Sequence, residues 1–424
     1  MQEAKQPTEV SLNIPLLVDY YTDTNQYRNL TKGKEIDPIT PGTTSFFKTT
    51  FNGLNSLSGV GILSIPFALS SGGWLSLILL LFIAAATFYT GLLIKRCMDA
   101  DDKIRSYPDV GERAFGGKGR AVVSVFMNVE LFMVATGFLI LAGDNLSSLM
   151  PNVELHLCGA VVGGRATLVL AVATVMAPTV WIDDMKSLAY VSATGVVASV
   201  VILGSVLWSG IADGIGFSQK GELLNWGGLP TALSLYAFCY CAHPVFPTLY
   251  TSITDRSQFS SVLLVCFTLC TVTYTSMAIL GYTMFGSELQ SQITLNLPTD
   301  KLSSKVAIFT ALLNPIAKYA LMMKPIVDSV ERGSVCRSLT RVVLITGSVF
   351  VAVTVPFFGY LMSLVGAFLS VTASILLPCF CYLKICGKSK LGWELVVIAF
   401  IVALGILVFV VGTYTSLLQI VDNV

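Results

Sequence analysis

Long stretches without one charged side chain dominate this sequence. Thr49–Ile94, Ser187–Ala212, Leu223–Thr254, Ser257–Ser287, Val342–Leu383 and Leu395–Val421 contain no Asp, Glu, Lys or Arg. An uncharged apolar run of about 20 residues is what a helix needs to cross the hydrocarbon of a bilayer. The chain of 424 residues would make about three soluble domains at roughly 150 residues each. Only 12% of its residues are charged, however, against about 25% in ordinary soluble chains. It cannot cover a water-facing surface, and the sequence reads as a multi-pass membrane protein. A formal net charge of +1 excludes nucleic-acid binding through a strong basic field.

Two of the runs are long enough for two crossings each. Ser70-Ser71-Gly72-Gly73 divides the first, and a tight break near Met362-Ser363 is expected to divide Val342–Leu383. The expected spans are 45–70, 74–96, 120–142, 166–182, 187–209, 229–250, 259–285, 303–326, 341–361, 363–383 and 395–419. That is an all-α polytopic fold of eleven transmembrane helices. With residues 1–44 as a flexible cytosolic tail, 21 of the 26 basic residues fall on the inner side and four, Arg165, Lys220, Lys301 and Lys305, on the outer. This bias obeys the positive-inside rule and orients the chain. One basic residue, Lys318, is left inside a span.

The tail has no basic cluster followed by an apolar run, so no cleavable signal is expected and the first span targets the chain. Pro15-Leu16-Leu17 resembles a di-leucine sorting signal, but Leu12 stands where an acidic residue belongs. Of ten cysteines only Cys158 falls in an outer loop, which leaves it no outer partner for an intramolecular disulfide. Asn145-Leu146-Ser147 fits a glycosylation sequon but abuts the third span, and is read as unmodified.

The first span is unusual inside. Gly53, Gly59 and Gly61 alternate with Asn52, Asn55, Ser56 and Ser58 ahead of Pro66. A break at Ser58–Gly61 frees backbone N–H groups and aims the positive end of a half-helix at the middle of the membrane. The sixth span is interrupted too, by Pro244 and Pro247, with Phe238, Tyr240 and His243 at the same depth. Each break opens a block of five spans. This is the pattern of an inverted repeat, 45–209 and 229–383, around a central site. Residues 210–228 are then an outer loop, 384–394 a cytosolic loop, and 395–424 an additional helix with a short outer C-terminus.

Several segments carry a family resemblance: Asn55-Ser-Leu-Ser-Gly-Val-Gly-Ile-Leu-Ser-Ile-Pro66-Phe-Ala, Ser106-Tyr-Pro-Asp-Val-Gly-Glu-Arg-Ala-Phe-Gly116, Val129-Glu-Leu, Gly143-Asp-Asn-Leu146 and Asn314-Pro-Ile-Ala-Lys-Tyr-Ala-Leu321. The chain resembles the amino acid/auxin permease family, most closely its plant and fungal vacuolar amino acid transporter branch. The resemblance implies a LeuT-type fold of five plus five helices with one more. It also implies proton-coupled movement of amino acids.

For the substrate carboxylate, the candidates are the backbone N–H groups of Ser58, Gly59, Val60 and Gly61. Carbonyls freed near Asn55 and along Tyr236, Phe238 and Cys239 can accept from the ammonium, with Phe238 and Tyr240 over the side chain. An ionisable residue inside a membrane is costly and functional by default. Glu130 in span 3 and Lys318 in span 8 are the coupling candidates, Lys318 standing where sodium-coupled relatives of the LeuT type hold a cation. Its long stem also suits snorkelling to the inner interface. His243 is the third candidate, as a proton relay or as a neutral hydrogen-bonding group. Asp109, Glu112 and Arg113 read as a loop network.

Enzymatic alternatives lack their parts. There are two histidines, no GxSxG element, no P-loop and no HExxH helix. No metal or organic cofactor is expected; the driving force is a proton gradient, with sodium second. Expected partners are a neutral amino acid and the lipid bilayer, with no nucleic acid and no obligate protein partner. A sensor with the same fold, or a sodium-coupled plasma-membrane importer, is the competing reading to a proton-coupled transporter of the vacuolar membrane.

Overall fold

The apolar runs fold as helices in a computed structural model that describes residues 42, 44–59, 61–157, 160–181, 185–329, 334–355, 357–387 and 392–423. The di-leucine segment, Val60 and Cys158 lie outside the described residues.

Ser45 caps α1 (Phe46–Leu57), its hydroxyl accepting from the Lys48 N–H. The helix ends at Ser58, and after a bend of 52° α2 (Gly61–Gly72) continues the span. Next come α3 (Ser76–Ala100) and α4 (Tyr107–Leu149). The start of α4 is a capping box between Ser106 and Asp109, with Pro108 in the first turn. At Gly116 the backbone takes φ +68°, which only glycine adopts freely, and this kink separates an interfacial turn from the crossing. The helix of the third span therefore starts just after this kink, a few residues before residue 120. Arg120 reaches both Asp109 (2.6 Å) and Glu112 (2.5 Å), and Arg113 pairs with Asp101 (2.6 Å), so this loop is a charge network.

A small hairpin of β1 (Leu155–Leu157) and β2 (Ala160–Val162) leads to α5 (Gly164–Met176) and α6 (Met185–Ile211). The sixth span comprises α7 (Leu229–Cys239), a 3-10 turn over His243–Val245 and α8 (Phe246–Ser252). It is followed by α9 (Phe259–Phe285), α10 (Leu302–Ser329) and α11 (Ser334–Thr354). The chain closes with α12 (Phe358–Leu364), wide π turns over Val365–Ser370 and Thr372–Leu376, α13 (Leu377–Cys386) and α14 (Gly392–Asn423).

Among the described residues, eight helices are long and apolar enough to cross a membrane, and nine spans result when α1 and α2 are joined. The expected fifth span is described as apolar helix only over Gly195–Ile211, and the sixth is broken into short pieces. The count of eleven thus depends on taking those two as crossings. One expected boundary is wrong. The break between the ninth and tenth spans lies after Thr354, where α11 ends, and before Phe358, where α12 begins, not at Met362-Ser363, which are buried inside α12. The reason is Pro356, whose ring disfavours a helical conformation at Val355 and has no N–H to give.

The helices sort into two packed groups. The broken helices α1, α2 and α7 pack with α3 and α9, whereas α10 packs on α4 and α6, and α11 on α4 and α5. The two broken spans run antiparallel and are fastened at both ends. On one side Thr44 N–H donates to Ser252 O (2.9 Å) and Thr254 N–H to Thr44 O (3.0 Å); on the other Asn225 N–H donates to Gly72 O (3.1 Å). Exposed apolar side chains such as Phe350 and Phe400 face outward from α11 and α14, as lipid contact requires.

Candidate functional site

Two helix ends meet in the middle of the molecule. A methyl group on Gly61, at the start of α2, would lie 2.7 Å from Cys239 Sγ and 3.3 Å from Cys239 Cα, at the end of α7. Gly61 thus permits close contact of the two breaks, while a methyl on Gly59 would meet nothing within 4 Å. Beside this crossing lies a cavity of about 200 Å³ lined by Asn55, Gly59, Gly61, Phe238 and Cys239 of the breaks and by Glu130 and Lys318 from α4 and α10. Leu131, Val134, Phe138 and Met322 give it apolar walls.

Lys318 does not snorkel. It is 6% exposed, and its ammonium donates to Asn55 O (3.3 Å) and Ser58 O (3.4 Å). Both are carbonyls at the end of α1 that the break has deprived of helical N–H partners. A positive charge at the negative end of a helix is also favourable. Gly195 of α6 makes room for this arrangement, since a methyl there would overlap the Asn55 amide oxygen and come 3.2 Å from Lys318 Nζ.

Glu130 is 6% exposed as well. Its Oε1 accepts from Cys241 Sγ (2.9 Å), in the break of the sixth span, and from Ser370 Oγ (2.7 Å), in the first π turn. Ser374 Oγ donates in turn to Cys241 Sγ (3.1 Å). The thiol and the two hydroxyls were not among the expected site residues. Glu130 was identified by its charge, but its partners are ordinary polar residues that only the fold brings to it.

Other candidates sit elsewhere. The Tyr236 hydroxyl is 2.8 Å from Ser76 Oγ, and Tyr240 donates to Thr271 (2.9 Å) while stacking on Phe267; neither lines the cavity. His243 is fully buried against α3, its Nε2 2.9 Å from Thr90 Oγ1 and 3.0 Å from Thr87 O, away from the cavity wall. Ser58 is close to the site but turns its hydroxyl to Ser199 of α6 (2.5 Å).

The expected N–H donors need a correction. The Ser58 and Gly59 N–H groups are occupied by Leu54 O (2.6 Å) and Leu57 O (2.9 Å), because they close the last turn of α1. Among the described residues, donors without an intrahelical carbonyl begin at Gly61, the first residue of α2.

This arrangement of paired breaks, a mid-membrane cavity and buried ionisable residues bears on the family. The sequence profile of the transmembrane amino acid transporter proteins matches residues 42–418. The chain belongs to this family. Relatives within it include two Arabidopsis thaliana proteins, "Amino acid transporter AVT1I" and "Amino acid transporter AVT1J". The first is 55% identical over 92% of this chain and 99% of the relative, the second 55% over 91% and 94%. "Amino acid transporter ANT1" of the same plant is a more distant relative, 26% identical over 89% of this chain and 93% of the relative. The crystal structure of MhsT in complex with L-phenylalanine superposes with a TM-score of 0.54 over 91% of this chain and 99% of that one, at 11% identity. The family member described here thus has the LeuT-type fold that its breaks suggest.

Proposed function

We propose that this chain is a secondary active transporter that moves neutral amino acids across the vacuolar membrane by alternating access, coupled to protons. One observation carries the reading. The two ionisable side chains of the cavity both come from the α4–α10 group and both end on the broken spans, Lys318 on α1 and Glu130 on Cys241. A change in protonation at either position alters the bonds between the two helix groups. Such groups must move against one another if the site is to open on alternate sides.

In this reading the carboxylate of the substrate lies at the start of α2, from Gly61 onward, where N–H groups and the helix dipole favour an anion. The carbonyl at the end of α7, Cys239 O, accepts from the ammonium. The apolar walls take an uncharged side chain. Lys318 occupies the carbonyl oxygens of α1 that a bound metal cation would otherwise need, which favours proton over sodium coupling. The kinship with amino acid transporters named AVT1 and the resemblance to the vacuolar branch support the membrane address.

The test is uptake by purified protein in proteoliposomes, with radiolabelled L-amino acids and separately imposed pH and sodium gradients. Accumulation driven by the pH gradient alone is expected. Uptake that follows sodium and ignores pH, or binding with no net flux, would overturn the proposal.

A further inference from the structure

One hydroxyl joins the two broken spans. Tyr274, on α9, is 1% exposed, and its Oη lies 2.6 Å from Leu57 O and 3.2 Å from Cys239 O. Leu57 is the last residue of α1 and Cys239 the last of α7, so both carbonyls lie at helix ends, where the regular helical N–H partners run out. The negative ends of two helix dipoles face each other here, and a single donor between them offsets their repulsion. The Tyr274 ring is held edge-on to Tyr240, with centroids 5.5 Å apart and planes at 72°. Gly61 brings α2 against Cys239 in the same region.

Leu57 and Cys239 line the cavity, but Tyr274 does not. The hydroxyl reaches the two carbonyls from behind the cavity wall. Leu57 O also accepts the Gly59 N–H (2.9 Å), so with Tyr274 both its lone pairs are engaged. Cys239 O, at the longer distance from Tyr274, keeps one lone pair for another donor.

We propose that Tyr274 is a positioning residue: it fixes the spacing and aim of the carbonyls that end α1 and α7, so that the Cys239 end accepts from the ammonium of an amino acid substrate. The assignment rests on the transport reading above. Its consequence is specific. Removing the phenolic oxygen leaves the ring packing in place but takes the shared donor from both carbonyls, leaving Leu57 O only its Gly59 N–H, and the loss falls on substrate affinity rather than on turnover.

The experiment uses the full-length protein in proteoliposomes and, as probe, whichever of the twenty radiolabelled L-amino acids the wild type accumulates most. Tyr274→Phe is expected to raise half-saturation about fivefold or more, in keeping with a lost buried hydrogen bond, with maximal rate within twofold. Tyr319→Phe removes another buried phenol, bonded to Ser348 Oγ at 2.7 Å, and is expected to leave both constants within twofold. Half-saturation unchanged in Tyr274→Phe overturns the assignment, as does an equal rise in both variants. If Tyr274→Phe does not elute as a folded monodisperse species, 3-fluorotyrosine placed at 274 keeps the shape and changes the donor; it must shift half-saturation, and no shift overturns the assignment. A wild type that accumulates none of the twenty overturns the transport reading and this inference with it. Wild-type uptake with an unmoved Tyr274→Phe overturns the inference alone.

Discussion

The two breaks are built from the same idea and held in different ways. At the first, the carbonyl end of α1 is capped by side chains from other helices: Lys318 takes Asn55 O and Ser58 O, Tyr274 takes Leu57 O, and Ser199 takes the Ser58 hydroxyl. At the second, Tyr274 reaches Cys239 O and Cys241 reaches Glu130, but the chain also closes a longer segment with its own backbone. Tyr240 N–H bonds Ala237 O (3.3 Å), Cys241 N–H bonds Phe238 O (3.3 Å), and Val245 N–H bonds Ala242 O (3.0 Å). Prolines at 244 and 247 stiffen that segment further. A break closed by its own backbone keeps its shape when its neighbours shift. A break capped from a distance changes when a capping group changes, and here one such group is the Lys318 ammonium, the proposed coupling site. Under the transport cycle proposed above, the first break is expected to move and the second to serve as the anchor.

The largest predicted effect comes from removing the distant cap. Lys318→Ala strips two buried carbonyls of their donor, each worth about 1–3 kcal/mol when left unsatisfied. Uptake driven by a pH gradient should fall about a hundredfold, which corresponds to about 2.7 kcal/mol. Gradient-driven uptake in proteoliposomes measures this, and retention of full uptake would remove Lys318 from coupling. Gly195→Ala tests the same contact from the other side. A methyl between the Asn55 amide oxygen and the ammonium should destabilise the protein by about 1–3 kcal/mol, read as a lower melting temperature in detergent.

A second test separates the two glycines of the first break. A methyl on Gly61 meets the Cys239 backbone at 3.3 Å, which a rotamer change cannot relieve, whereas one on Gly59 meets nothing. Gly61→Ala should cost about 1–3 kcal/mol and most of the uptake. Gly59→Ala should stay near wild type in melting temperature, since its methyl meets no neighbour. Equal behaviour of the two variants would mean that the breaks do not meet at Gly61.

How much of this was legible in the sequence depended on the kind of signal. Charge-free runs marked the spans because crossing hydrocarbon is a constraint on composition, and Lys318 stood out because no loop could hold it. The break between Thr354 and Phe358 was missed because Met362-Ser363 looked like a polar gap, while the stronger sequence signal was a proline, which disfavours helix at the residue before it. The glycines at 59 and 61 announced a break but not that Ser58 and Gly59 would spend their N–H groups closing α1. Tyr236, Tyr240 and His243 had the right depth, yet depth does not fix direction, and all three turn toward α3 or α9. Ser370 and Cys241 carried no signal at all. A serine or cysteine in a span is unremarkable until a carboxyl lies within hydrogen-bond distance, and that proximity is tertiary.

The contacts of Glu130 give the smallest effects and the sharpest distinction between position and charge. Glu130→Gln keeps a carbonyl oxygen able to accept from Ser370 and Cys241, so the α4 contact with the second break and the π turn should survive and the melting temperature should change little. What it loses is the exchangeable proton. Uptake as a function of pH should therefore flatten, with gradient-driven accumulation down about tenfold, about 1.4 kcal/mol. Cys241→Ala leaves the carboxyl its Ser370 bond, and removes a weak thiol donor together with the weak sulfur acceptor of Ser374. Its effect should be within about threefold, at the low end of about 0.5–1.5 kcal/mol for a single hydrogen bond, and the shape of the pH profile should persist. The two variants thus exchange what they preserve. If Cys241→Ala flattened the pH profile as fully as Glu130→Gln, the second break would be part of the proton switch, and its role as the fixed anchor would fail.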